Sequence, residues 1–241
     1  MRRLFTAGLA TAVVLGFIAT PVASAQQQVS FSVGGFSLRA EDARSSDDVL
    51  VGNRQFLDFN VGDLSGPTVG AEWLVNLGDQ FEAGLGAGFY MRSTPAVDRL
   101  NEFKITGDPI IADLKLRVVP VTATVRWLPM GHHNGVEPYI GAGVGVFNYR
   151  YSETGDFVTN DQVASDEKTI IHGSFVGSGT ATGPVILGGV RVPVGSWGVG
   201  GELRYQRATG DLPTDQGFAG GANPKIDLGG LTYTFTINVR F

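Results

Sequence analysis

The sequence predicts an all-β fold: an eight-stranded antiparallel up-and-down transmembrane β-barrel. Three observations predict it. Apolar and polar residues alternate at period two in eight segments, none of those segments has helical spacing, and the connections between them run long and short in turn. Successive side chains of a strand point to opposite faces, so each segment has one apolar and one polar side.

The first segment, 29–40, carries Val29, Phe31 and Val33, then slips phase at Gly34-Gly35 to Phe36, Leu38 and Ala40, the change a bulge would produce. The second shows Val69, Ala71, Trp73, Val75 and Leu77; the third, 81–92, shows Phe81, Leu85, Phe89 and Met91. The fourth, 112–128, is clear from Val119 to Trp127 and less clear above. The fifth, 138–151, alternates Ile140, Ala142, Val144 and Val146 with glycines. The sixth, 184–194, and the seventh, 197–207, place Ile186 to Val194 and Trp197 to Tyr205 in the same rhythm. The eighth alternates Leu231, Tyr233, Phe235, Ile237, Val239 and Phe241 with Thr232, Thr234, Thr236, Asn238 and Arg240.

Short connections fall at 78–80, 129–136 and 195–196, and long polar ones near 41–56, 93–110, 152–183 and 208–225. Turns that sort by length to two ends describe an outer-membrane-type barrel. In hydrocarbon an open sheet edge leaves backbone groups unpaired, so the eighth strand must pair with the first. Trp73, Trp127 and Trp197 lie near the short turns on the apolar phase, where a membrane-interface girdle is expected.

The opposite phase carries Glu72, Glu82, Arg126, Arg191, Glu202, Arg204 and Arg240. Three carboxylates facing four guanidinium groups suit a lumen that side chains fill. A soluble ligand-carrying barrel would turn its apolar phase inward, which these charges oppose. Read structurally, they form a paired plug, because buried charges must be paired. Read functionally, they line a narrow ion path.

Arg2-Arg3, the apolar run 4–20 and Ala23-Ser24-Ala25 have the order of a secretory signal peptide, with cleavage expected after Ala25 and a barrel domain at 26–241. Removing that leader leaves 16 basic against 23 acidic residues, net −7, with no basic field for nucleic acid. There is no cysteine, hence no disulfide or thiolate metal site.

The leader, the eight strands, the stretch Glu137-Pro138-Tyr139-Ile140-Gly141-Ala142-Gly143-Val144-Gly145-Val146 and Phe241 resemble the small Gram-negative outer-membrane β-barrel proteins of the OmpA/OmpW, opacity and porin-like type. The resemblance spans 29–241 and implies localisation in the outer membrane after export, a monomer, and lipid and lipopolysaccharide as surroundings. It also implies that Tyr233, Phe235, Ile237, Val239 and Phe241 serve as the signal read by the barrel-assembly machinery. Some relatives continue into a peptidoglycan-binding domain; the sequence stops at Phe241, so no wall tether is expected.

For chemistry there is little. His132-His133 reads as a solvated turn, and no metal or cofactor is expected. His172-Gly173-Ser174 resembles the lipid A deacylase motif, but the next acid downstream is Glu202, so the residue that would orient the base is out of place. Catalysis is therefore not expected. The acids of 152–169 read as solvated loop, and Lys115 and Arg117 reach lipid phosphates only if the odd phase of the fourth segment continues upward. The expected role is a structural or surface-interaction barrel with a plugged lumen. A narrow porin is the alternative, and a lipid-modifying enzyme comes third.

Overall fold

The computed structural model describes residues 26–103, 106–132, 135–159 and 169–241. The expected leader, His133 and the loop acids Asp161, Asp166 and Glu167 lie outside the described residues. The barrel strands are β1 (Gln27–Leu38), β2 (Gly66–Asn76), β3 (Phe81–Glu102), β4 (Pro109–Trp127), β5 (Glu137–Thr159), β6 (Thr169–Val194), β7 (Trp197–Gln206) and β8 (Gly230–Arg240). Each pairs antiparallel with its sequence neighbours. β8 closes the ring on β1, from Gln28 opposite Arg240 to Leu38 opposite Gly230. Closure pairs each strand on both sides within the apolar belt, as hydrocarbon requires, while β3 and β6 outrun β2 and β7 above it.

The strands are unequal, and the inequality shapes the molecule. β3 to β6 run 22, 19, 23 and 26 residues, whereas β1, β2, β7 and β8 run 12, 11, 10 and 11. Roughly 9–11 tilted residues cross a bilayer. The four long strands therefore rise past it as a wall.

Along each long strand the amphipathic pattern inverts. In β4, Trp127, Val125, Ala123 and Val121 face out and Arg126, Thr124 and Thr122 face in; above Val119 the order reverses, with Lys115 and Arg117 out and Val118, Leu116 and Leu114 buried inside. β5 does the same, with Ile140 to Val146 outside, then Asn148 and Arg150 outside while Phe147, Tyr149 and Tyr151 turn inward. The eight residue steps from Trp127 to Val119, at about 3.3 Å each and tilted about 40°, make a belt on the order of 20 Å high. Lipid demands apolar groups outside the belt; above it, water demands the reverse.

This inversion corrects two sequence expectations. β1 keeps continuous register through Gly34 and Gly35 on both neighbours, so there is no bulge. The phase change at Phe36 is the inversion itself, with Phe36 and Leu38 buried inside. Likewise, much of 93–110 and 152–183 is strand, not loop. Its outer face is polar because water bathes it, which removes the lipid-facing signature by which the lower strands were read.

The inner face of the wall would be an exposed apolar surface if nothing covered it. The connection 39–65 supplies Val49, Leu50, Leu57 and Leu64, and the connection 207–229 supplies Leu212, Phe218, Ile226 and Leu228; all are buried with Leu114, Leu116 and Tyr151 in one core. A short helix, α1 (Val49–Asn53), carries the first group. Asp48 caps it, accepting from Leu50 N at 2.9 Å. The same carboxylate holds Arg44 at 2.8 Å and accepts from Asp227 N at 2.6 Å, so it pins both connections together. The barrel mouth is thus stoppered by a small hydrophobic core.

Candidate functional site: the lumen charge lattice

Below the stopper the lumen is polar, and its charges form two separate rings. The ring nearer the mouth contains Glu72, Glu202, Arg126 and Arg204. Arg126 Nη2 bonds Glu72 Oε2 and lies 2.8 Å from Glu202 Oε2; Arg204 Nη2 lies 2.9 Å from Glu72 Oε2 and 2.8 Å from Glu202 Oε1. Neutral donors complete it. Thr124 Oγ1 donates to Glu72 at 2.8 Å and Tyr139 Oη donates to Glu202 at 3.0 Å. The Arg126 guanidinium also stacks 4.7 Å from the Tyr139 ring centroid.

The ring nearer the short turns contains Glu82, Glu137, Arg191 and Arg240. Arg191 Nη2 lies 2.7 Å from Glu82 Oε1 and its Nε 2.8 Å from Glu137 Oε2, while Arg240 Nη2 reaches both Glu137 oxygens at 2.8 and 2.9 Å. Glu137 and Arg191 stand directly opposite across β5 and β6. All of these side chains are buried except those of Arg204 and Arg240, which are largely so.

All seven charges expected to face inward do face the lumen, four in the first ring and three in the second. The structure adds an eighth, Glu137. Three carboxylates against four guanidinium groups left one positive charge over; Glu137 makes each ring two against two. The signal was available, because Glu137 sits two residues before Tyr139 on the inward phase of β5, at the strand's first position. Glycines on that phase make the room. At Gly84 a Cβ would collide with the Glu72 carboxylate and Thr124 Oγ1.

Between the charged rings and the stopper lies a cavity of about 70 Å³, lined by hydroxyls that include Ser32, Thr68, Thr122, Thr232 and Thr234. Glu72, Glu202 and Arg204 of the first ring also line it.

Other expected residues fall as follows. Trp73, Trp127 and Trp197 are all exposed on the outer wall within a few residues of the short turns. Tyr233, Phe235 and Ile237 also face out, and the Phe241 backbone exchanges hydrogen bonds with Gln27 at 3.0 and 3.2 Å. His132 departs from the solvated turn expected of it. Its ring turns toward the lumen, with Nε2 3.8 Å from Glu82 Oε1, because the 128–132 turn folds back beneath the barrel, His132 N donating to Asp79 O. Glu153, read as loop, is buried beside Asn53, which donates to it at 2.7 Å.

Asp156, on β5, lies 2.9 Å from His172 Nδ1 across the strand pair, so the acid that Glu202 could not supply comes from upstream. Ser174, however, bonds Thr154 at 3.0 Å, and among the described residues no hydrogen bond joins it to His172. The His172 side chain is 75% exposed. Among the described residues none there excludes water or gathers donors for an oxyanion.

A closed antiparallel ring with an apolar belt outside and paired charges inside is a transmembrane β-barrel of the small, side-chain-filled kind. No family model and no curated protein matches the chain. Solved structures resemble it: outer membrane protein OprG from Pseudomonas aeruginosa at 14% identity, covering 90% of this chain and 96% of that one, TM-score 0.45; Neisserial surface protein A at 12%, 90% and 97%, TM-score 0.45; and the outer membrane protease OmpT from Escherichia coli at 11%, 90% and 97%, TM-score 0.45. The fold itself rests on the closed strand ring.

Proposed function

We propose that this protein is an outer-membrane barrel with a structural or surface-interaction role, exported by its leader, monomeric, and closed to solute flow. The supporting observation is the double seal: two charge-neutral rings of bonded side chains below, and an apolar stopper above. An ion passing the lumen would have to break arginine–carboxylate pairs whose partners cannot be resolvated, and then cross a packed hydrophobic core. In this reading the stoppered mouth faces the cell exterior and the tryptophan end faces the periplasm. The terminal alternation of β8 then also serves barrel assembly.

The test is single-channel conductance of the refolded protein in a planar bilayer, once a heat-dependent change in gel mobility confirms folding. Silence is the expected result. Discrete, reproducible steps would overturn the sealed reading in favour of a narrow porin, the alternative that the hydroxyl-lined cavity favours.

A further inference from the structure

The lumen holds the eight charges of the two rings; on the outer wall, among the described residues, three cations cluster on β4 and β5. Arg117 on β4 stands directly opposite Arg150 on β5, and Lys115 lies two residues further along β4, opposite Ser152. All three basic side chains are exposed, and among the described residues none makes an ion pair or hydrogen bond. They share a shallow recess with Met91 and Ser152. Like charges directly opposed on an antiparallel pair repel. The outward carboxylate nearest in sequence, Asp113, is one rung further out and faces Thr154 rather than a cation.

Their height on the wall is what gives them meaning. The lipid-facing rows end at Val119 on β4 and Val146 on β5, and Arg117 and Arg150 come within two rungs of those ends. That is the level of the headgroups in the mouth-side leaflet. The sequence left the phase of this segment open; the structure turns both Lys115 and Arg117 outward.

We propose that Lys115, Arg117 and Arg150 form a binding site for the phosphorylated headgroup of a glycolipid in the mouth-side leaflet. Guanidinium groups pair with phosphate oxygens through two parallel N–H donors, and an anion between Arg117 and Arg150 relieves their repulsion. Met91 and the valines below it contact the first segments of the acyl chains. A phosphate-rich headgroup matches three clustered cations, whereas a zwitterionic one carries its own cation to oppose them. The inference rests on the membrane reading of the wall, since only a lipid-embedded barrel brings headgroups to this height.

The probe is bisphosphorylated lipid A in mixed non-ionic micelles, titrated onto immobilised refolded protein, with dephosphorylated lipid A and inorganic phosphate as comparisons. Arg117→Gln/Arg150→Gln should weaken lipid A binding about tenfold or more, and the loss should vanish with the dephosphorylated lipid. Thermal stability of this variant should hold or rise, because a repulsion has been removed; a structural role would lower it. Equal binding by variant and wild type overturns the site. Inorganic phosphate competing at the same concentration as lipid A overturns the lipid assignment. If instead the membrane reading is at fault, wild type and variant alike will fail to insert into phosphatidylcholine vesicles.

Discussion

Arg191 is among the largest fully buried side chains of the barrel and bridges two carboxylates, Glu82 and Glu137. Arg191→Ala leaves Glu82 without a guanidinium partner while Glu137 keeps Arg240. Removing one partner of a buried pair costs about 3–5 kcal/mol. Urea unfolding in detergent should show that loss, and Glu82→Leu/Arg191→Met should recover most of it, because no uncompensated charge then remains. Gly84→Ala tests packing rather than charge. Its methyl group must displace the Glu72 carboxylate, with an expected cost of about 1–3 kcal/mol in the same assay. Glu153 gives a pH signature outside the membrane. Burial raises its pKa above the ordinary carboxylate value, opposed by hydrogen bonds from Asn53 and Tyr151. The folded state therefore holds the proton more tightly than the unfolded one. Its stabilising contribution is complete below the usual carboxylate range and is lost as pH rises through the raised value. Hydrogen exchange of α1, corrected for intrinsic rates, should speed up over that window in the wild type and not in Glu153→Gln.

Among the elements, the two connections that stopper the mouth depend on one carboxylate. Asp48 serves as helix cap, as partner of the buried Arg44 and as acceptor for the chain at Asp227. Asp48→Ala strands Arg44 and uncaps α1, so the stopper should open by local unfolding. Residues 44–56 should then be cut by an arginine-specific protease that spares them in the wild type. The strands beneath make none of these bonds, so the heat-dependent gel shift should persist. A variant that lost the shift as well would show that stopper and barrel fold as one unit.

At the scale of the whole molecule the stopper and the charged rings stand in series, and that arrangement predicts an outcome neither predicts alone. Asp48→Ala opens the mouth but leaves both charged rings intact, so its bilayer conductance should stay silent. Current through that variant would mean that the stopper, not the rings, holds the lumen shut.

Period two and the inward phase of seven charges were legible in the sequence, because each follows from which side of one strand meets lipid. Those signals are local, and they hold wherever the outer environment stays the same. Above the belt the environment changes, and the same alternation then reads as a bulge at Gly34 or as loop at 93–110 and 152–183. Glu137 escaped notice because it opens a strand read mainly through its glycines, and only the ring of contacts shows that a fourth carboxylate is needed. Asp48 and Asp227 are separated by 179 residues, so no window of sequence could join them. The sequence by itself determined that there is a barrel and which face of each lower strand meets lipid, since alternation answers to solvent alone. Tertiary structure decided how the lumen is filled, because filling depends on charges and apolar groups that meet only after the ring has formed.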